Sequence, residues 1–288
     1  MKKILLVDGM ALLFRAFYAT SVYGQYMKTS SGVPTNGIHG FLKHLLTAVQ
    51  KIQPTHVIAC WDMGSTTFRT EVFSQYKANR GEAPAELKPQ FSLVKEATSM
   101  LQIPNIGLVG YEADDCIGTL SKLYDQDGEV FVLTGDTDLL QLSDHSTTIM
   151  LMRKGVGNYS FYTPDDIFSE KGVQPWQIVH AKAFMGDTSD NYPGVRGIGE
   201  KTAYKLIQQF QSVQGVLDNL HVLSNVQRIK IESDMDNLML SLHLAKIQCD
   251  LPISCELEQA SVTMDTNKLS RICTELEWNR PQSLLTLL

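Results

Sequence analysis

Short apolar runs that end on an aspartate constrain this chain more than any other feature. Asp8 follows Ile4-Leu5-Leu6-Val7, Asp62 follows Val57-Ile58-Ala59-Cys60-Trp61, and Asp136 lies just past Val130-Phe131-Val132-Leu133. Four to six consecutive apolar residues read as strands buried on both faces, the pattern of a parallel sheet covered by helices. The carboxyl ends of such strands lie along one edge, where open α/β sheets form their ligand sites. Three aspartates far apart in sequence are thereby expected in one cleft, and hard divalent cations are the natural occupants of such a carboxylate group.

The rest of the first half supports α/β organisation. Strands are expected near 3–8, 55–61, 104–109, 129–133 and 147–152, with helices near 10–19, 36–51 and 116–124. Residues from about 66 to 100 are polar, rich in charge and broken by Gly81, Pro84 and Pro89, so they read as an excursion from the sheet. Thr163-Pro164-Asp165-Asp166 is a capped helix start, with Gly172 as its stop. Beyond 172 the strand pattern disappears and helical segments follow near 175–185, 199–210, 212–219, 225–232 and 234–246. Two domains are therefore expected: an α/β domain over 1–172 and a helical one over 173–288.

More acids join the three at the strand ends. Glu112, Asp114 and Asp115 fall within one turn at the start of a helix, Asp136 and Asp138 are two apart, and Asp187 and Asp190 are three apart. Each group has a plainer reading, as helix-dipole partners, as turn caps or as a solvated face. Together they outnumber what one cation needs. No histidine or cysteine is interleaved, so the donor chemistry selects magnesium or manganese. Carboxylates around a pair of such ions are the equipment of two-metal phosphodiester chemistry.

Two basic clusters point to phosphate. In Gly194-Val195-Arg196-Gly197-Ile198-Gly199-Glu200-Lys201-Thr202-Ala203, glycines permit a tight hairpin before a helix whose N-terminal amides can receive a phosphate, and Arg196, Lys201 and Lys205 surround it. In Tyr76-Lys77-Ala78-Asn79-Arg80 an aromatic stands beside two cations, which suits base stacking with phosphate contact. The net charge of -6 argues against a nucleic-acid partner only until bound divalent ions enter the sum. The five cysteines are scattered and never spaced CxxC, the expectation for reduced, packing thiols. No apolar run reaches the roughly 18 residues of a membrane span and Met1-Lys2-Lys3 does not open a signal peptide, so cytoplasmic residence, associated with the nucleoid, is expected.

These residues resemble the bacterial and phage 5′-3′ exonuclease family of flap endonucleases, which includes the N-terminal nuclease domain of DNA polymerase I. The resemblance runs through Leu6-Val7-Asp8-Gly9, Phe14-Arg15-Ala16, Trp61-Asp62, Tyr76 to Arg80, Tyr111 to Asp115, Thr134 to Asp138, Gly186 to Asn191, and Gly197 to Ala203. It implies a PIN-like nuclease domain with a helical arch over about 66–100. A SAM-like helical domain would follow, carrying a helix-three-turn-helix module over about 184–210. By that resemblance Asp8, Asp62, Glu112, Asp114 and Asp136 surround a first metal, Asp138, Asp187 and Asp190 complete a second, and Asp115 matches a nearby acid. Lys77 and Arg80 are the implied catalytic cations. The implied DNA contacts are Arg15, Tyr76, Arg196, Gly197, Gly199, Lys201, Thr202 and Lys205. The backbone carbonyls of Val195 and Ile198 would hold potassium. The implied substrate is DNA with 5′ single-strand to duplex junctions (flaps, nicks and RNA-primed ends), acted on by a stand-alone monomer. A PIN-like ribonuclease and a non-catalytic DNA-junction binder are the alternatives.

Overall fold

The computed structural model describes residues 2–21, 24–263, 265–278 and 281–287. Six strands form one sheet: β1 (Lys2–Asp8), β2 (His56–Cys60), β3 (Asn105–Ile106), β4 (Gly128–Thr134), β5 (Thr147–Met152) and β6 (Tyr159–Tyr162). Their order is β3-β2-β1-β4-β5-β6, with every pairing parallel except the last. The expected α/β class with a mostly parallel sheet is what the chain forms.

Alternate residues along each strand feed opposite faces, the period-2 consequence of the pleat. Leu5, Val7, Val57, Ala59, Leu133 and Met150 face α1 (Gly9–Thr20), α2 (Asn36–Ile52) and neighbouring helices. Ile4, Leu6, Ile58, Cys60, Val130, Val132, Ile149 and Leu151 face the other way. That second core continues without a break into Phe184, Val195, Ile198, Ala203 and Ile207 of the helical half. Each half therefore shares apolar packing with the other, and the acids between them are held by buried contacts on one side.

The excursion expected over 66–100 divides in two. Phe68–Val72 is a short helix, α3, and residues 73–80 are a series of turns. Gln90–Met100 is α4, which packs Val94 and Ala97 into the core beside α2. Its buried Gln90 carbonyl oxygen accepts from the amide of Ile38 (3.1 Å), and its amide donates to Asn36 (3.1 Å). The segment that stands off the sheet is accordingly shorter than its polarity suggests.

Beyond α5 (Ala113–Leu123) and α6 (Pro164–Lys171) the chain enters α7 (Ile178–Met185), α8 (Glu200–Phe210), α9 (Val213–Asp218), α10 (Asn225–Ser233) and α11 (Met235–Ala245). It then turns back. Residues 247–260 run along α5, where the Tyr124 hydroxyl donates to the Cys255 carbonyl (2.6 Å). The amide of Val262 bonds to Thr55 at the start of β2 (3.0 Å). Finally α12 (Thr266–Glu275) and α13 (Gln282–Leu285) bury Leu269, Ile272, Cys273 and Leu284 in the core that contains α2. Trp278 donates to Thr35 (3.2 Å), and Glu277 accepts from the amide and hydroxyl of Ser30. Residues grouped by sequence with the helical half thus lie on the far face of the sheet. No described helix is long and apolar enough to cross a membrane.

Candidate active site

The parallel strands β1, β2 and β4 end on one edge, and Asp8, Asp62 and Asp136 follow from them. Asp8 caps α1, its Oδ1 accepting from the amide of Ala11 (2.9 Å) and its Oδ2 from the Thr134 hydroxyl (2.7 Å). Beside it the indole of Trp61 lies so close to Gly9 that a Cβ there would sit 2.6 Å from the ring. Only glycine after Asp8 lets the residue before Asp62 pack against β1, which brings the two strand ends together. Asp62 Oδ1 accepts from the amide of Ala113 (2.7 Å), tying β2 to the N-terminus of α5 and to Glu112 and Asp114. Asp136 Oδ1 accepts from the amide of Asp138 (2.8 Å), so the chain turns there rather than staying extended.

Electrostatics mark this first set as short of positive charge. Burial pushes the Asp8 carboxyl up to about 6; bonds from Ala11 and Thr134 oppose the shift, and the charges of Asp62 and Asp136 add to it. Burial likewise raises Asp62. Asp114 is raised well above the carboxylate range by burial and then by Asp8 and Asp136. Carboxyls that resist ionising together are the signature of a shared anionic site.

A second set belongs to the helical half. The loop from Gly186 to Tyr192 folds as a turn and not a helix, with Asp187 Oδ1 accepting from the amides of Ser189 (2.7 Å) and Asp190 (3.0 Å). Gly194, at φ 61°, passes so close to Gly186 that a Cβ would lie 2.3 Å from its nitrogen. Lys182 is buried on α7 and its ammonium donates to Asp138 and to Asp187 (2.6 Å). Burial alone would lower this lysine, but Asp138 foremost among its neighbours holds it firmly protonated. Burial would raise Asp187, but Lys182 together with the amides of Asp190 and Ser189 holds it below its ordinary value. Lys182 escaped the sequence reading; its signal was a lone cation inside the apolar run Ile178 to Met185.

The segment 75–80 lies on this loop. The amide of Lys77, a residue at φ 55°, bonds to the Asp190 carbonyl (2.8 Å), and Asn79 reaches the Thr188 carbonyl (2.7 Å). Lys77 Nζ meets Glu112 (2.7 Å) and lies 3.9 Å from Asp190, while the Arg80 guanidinium pairs with Asp190. Two expectations need correction. Tyr76 is buried, its hydroxyl donating to Glu112 (3.1 Å) and Asp190 (3.0 Å), and so offers no stacking face here. Asp115 is fully buried and does not join the acids: both its oxygens are taken by the Arg69 guanidinium (2.7 and 2.8 Å) and by the amides of Glu112 and Gln248. The first-turn acid at that position is a cap and counter-ion.

The basic hairpin precedes α8. Gly197 has φ 78°, Gly199 is the N-cap, and Arg196, Lys201 and Lys205 are exposed with Thr202 partly so. The first amides of α8 lack intrahelical partners, as at any helix start. The amide of Arg196 is not free, since it donates to Asp234 (2.8 Å). Val195 and Ile198 are buried, and the Val195 carbonyl accepts from the Ile198 amide (3.0 Å). The neighbouring Gly197 carbonyl accepts from Lys230 (3.0 Å), a cation that sequence reading missed. Arg15 donates to the Arg153 carbonyl.

A cleft of about 410 Å³ is lined by Arg15, Lys182 and the acids Asp138, Asp187 and Asp190, with Asp136 as its member from the first set. A larger cavity of about 610 Å³ is walled by Leu142, Pro175, Trp176, Val179 and Ile247, and the acid that lines it, Asp144, is paired with Lys122. Among the described residues the one trio of donors within 4.8 Å of each other is Asp125, Asp144 and His145, away from the cleft. There Asp144 is already neutralised by Lys122.

Residues 3–172 match the family described as 5′-3′ exonuclease, N-terminal resolvase-like domain, and residues 173–268 match 5′-3′ exonuclease, C-terminal SAM fold. The chain belongs to the 5′-3′ exonuclease family. Membership makes it a nuclease, a hydrolase of nucleic-acid phosphodiesters. It is 54% identical to the 5′-3′ exonuclease of Bacillus subtilis (strain 168), over 91% of this chain and 88% of that one. It is 36% identical to DNA polymerase I of Streptococcus pneumoniae (strain ATCC BAA-255 / R6), covering 99% of this chain and 33% of the polymerase. Its fold is that of T5 5′-exonuclease, solved with divalent metal ions (zinc), at TM-score 0.70 and 21% identity over 99% of each chain. The catalytic core of Rad2 in complex with DNA substrate shares the fold at TM-score 0.62 and 17% identity, over 100% of this chain and 92% of that one.

Proposed function

We propose that this nuclease is divalent-metal-dependent and cuts DNA near 5′ ends at single-strand to duplex junctions: flaps, nicks and RNA-primed ends. The observation that carries the reading is the first acid set, Asp8, Asp62, Asp114 and Asp136. It gathers at one edge, where burial and neighbouring acids raise the carboxyls of Asp8, Asp62 and Asp114, while Glu112 beside it pairs with Lys77 and Arg69. The donors are all oxygen, which fits magnesium with manganese as substitute. Asp8, Asp62, Glu112, Asp114 and Asp136 would hold one ion, and Asp138, Asp187 and Asp190 a second. Such ions, when bound, activate water and stabilise the attacking and leaving oxygens of a phosphodiester.

The chain's own residues supply the rest. Lys77 and Arg80, released from Glu112 and Asp190, neutralise charge on the scissile phosphate. Arg196, Lys201, Thr202 and Lys205, with Gly197 and Gly199 allowing close approach, hold the duplex backbone without reading sequence. Arg15 lines the cleft and steers the strand toward it. The hairpin attracts a cation, as Lys230 at the Gly197 carbonyl illustrates, and this supports potassium at Val195 and Ile198. We place the enzyme in the cytoplasm on nucleoid DNA, acting as a monomer. The test is cleavage of an end-labelled 5′-flap duplex in magnesium against matched nicked DNA and RNA. Asp136→Asn is expected to abolish cutting of the flap; near-normal turnover by that variant, or preference for RNA, would sink the reading.

A further inference from the structure

One guanidinium joins three segments that lie far apart in sequence. Arg69, on α3, is 2% exposed. Its Nη1 and Nη2 grip both oxygens of Asp115 (2.7 and 2.8 Å), and Nη1 also reaches Glu112 Oε2 (3.2 Å). Its Nε and Nη2 donate to the carbonyls of Leu244 and Lys246 (2.9 Å each). Those carbonyls end α11, where helical C=O groups have no partner of their own and the helix dipole is negative. Asp115 in turn accepts from the amide of Glu112, the N-cap of α5, and from the amide of Gln248 just past α11. Every guanidinium nitrogen is engaged, and a planar fork fully bonded on both sides has one position available to it.

The other oxygen of Glu112 takes Lys77 (2.7 Å), so the carboxylate is clamped between a fixed arginine and a catalytic cation. We propose that Arg69, with Asp115 as its counter-ion, is a positioning residue for the nuclease site. It fixes the Glu112 carboxylate and locks the end of α11 to the start of α5, so that one side chain sets the spacing between the sheet acids and the helical half. The proposal rests on the functional reading above in that it needs Glu112 within the site. Lysine cannot take over the role, because a single ammonium has three donors and no fork to span Asp115 and two carbonyls.

The test uses the full chain with Arg69→Lys, Asp115→Asn and the double variant. Each is assayed for thermal unfolding, for Mn2+ stoichiometry by electron paramagnetic resonance, and for single-turnover cleavage of a flap duplex at saturating enzyme. The expected result is wild-type Mn2+ stoichiometry, DNA affinity within about threefold of wild type, and a cleavage rate lowered about 10- to 100-fold, the cost of an ångström-scale misplacement. The double variant is expected to be no slower than the slower single variant, because the pair acts as one unit. A wild-type rate in Arg69→Lys accompanied only by a lower melting temperature would make the residue merely structural and overturn the proposal. So would a lost Mn2+ site in Asp115→Asn, or losses that add. If Arg69→Lys does not fold, Asp115→Asn decides alone, since it leaves the guanidinium bonded to Glu112, Leu244 and Lys246. Wild-type protein that fails to cleave would sink the functional reading instead, and the coupling is then read from the non-additivity of the melting temperatures.

Discussion

The two acid sets differ in who answers their charge. Around Asp8, Asp62, Asp114 and Asp136 the partners are amides, a threonine hydroxyl and other acids. Around Asp138, Asp187 and Asp190 they are Lys182, Lys77 and Arg80. The first set is built into strand ends and the first turn of α5, where burial outweighs the hydrogen bonds that favour charge on Asp8 and Asp62. The second sits on segments that meet from different parts of the chain, and its salt bridges contribute to holding them together. On the proposed reading, an ion would relieve repulsion on the first side; on the second it would have to displace protein cations, and it would also meet Asp138, which burial and Asp136 raise to about 7.

That contrast can be broken most decisively at Asp114. Asp114→Asn is expected to cut the single-turnover rate at least about 10³-fold, the scale on which a metal site stabilises transition-state charge. The same change should raise the melting temperature of the metal-free protein, because one of several mutually repelling acids is gone. A variant that is both inactive and less stable would contradict the picture of unrelieved repulsion. Lys182→Met probes the opposite side. It leaves Asp138 and Asp187 without their buried cation, and unfolding measurements should show a loss of about 3 kcal/mol. Divalent ions are expected to restore much of it; no recovery with magnesium would mean that these acids do not receive the ion.

The smallest effect is in the pH dependence of the metal-free chain. Asp8 ionises near 3.8 when free and near 6 when folded. Between those values the folded state binds the proton more tightly, so this contribution is complete below the lower value and is lost as pH rises through the higher one. Calorimetry of metal-free protein should find stability falling by about 2 kcal/mol from pH about 4 to about 7, with saturating magnesium flattening the slope. A metal-free profile that rises over that range would remove Asp8 from the repelling set.

How much of this was legible in sequence depended on whether the cause was local. Unbroken apolar runs gave β1, β4 and β5, and Thr163-Pro164 with Gly172 bounded α6, because strand periodicity and helix caps are written within a few residues. The antiparallel β6, only Tyr159–Tyr162, was too short to register as a strand, and β3, expected near 104–109, pairs over Asn105–Ile106 alone. That Asp8, Asp62 and Asp136 converge followed from parallel strands alone. That Asp115 turns away from them did not, since its partner Arg69 is 46 residues distant and the third member of the joint lies near residue 246. Tyr76 was misread for a related reason. Its burial comes from Glu112 and Asp190, neither of which is its neighbour in sequence.

The indole resting on Gly9 has a consequence for how this sequence can vary. Because the ring fills the space a side chain would need, the separation of two carboxylates from different strands is gauged by the thickness of a tryptophan. Positions 9 and 61 are thereby bound to one heredity: a change at either alone alters the gap, and only a matched exchange of bulk between them would leave it as it is.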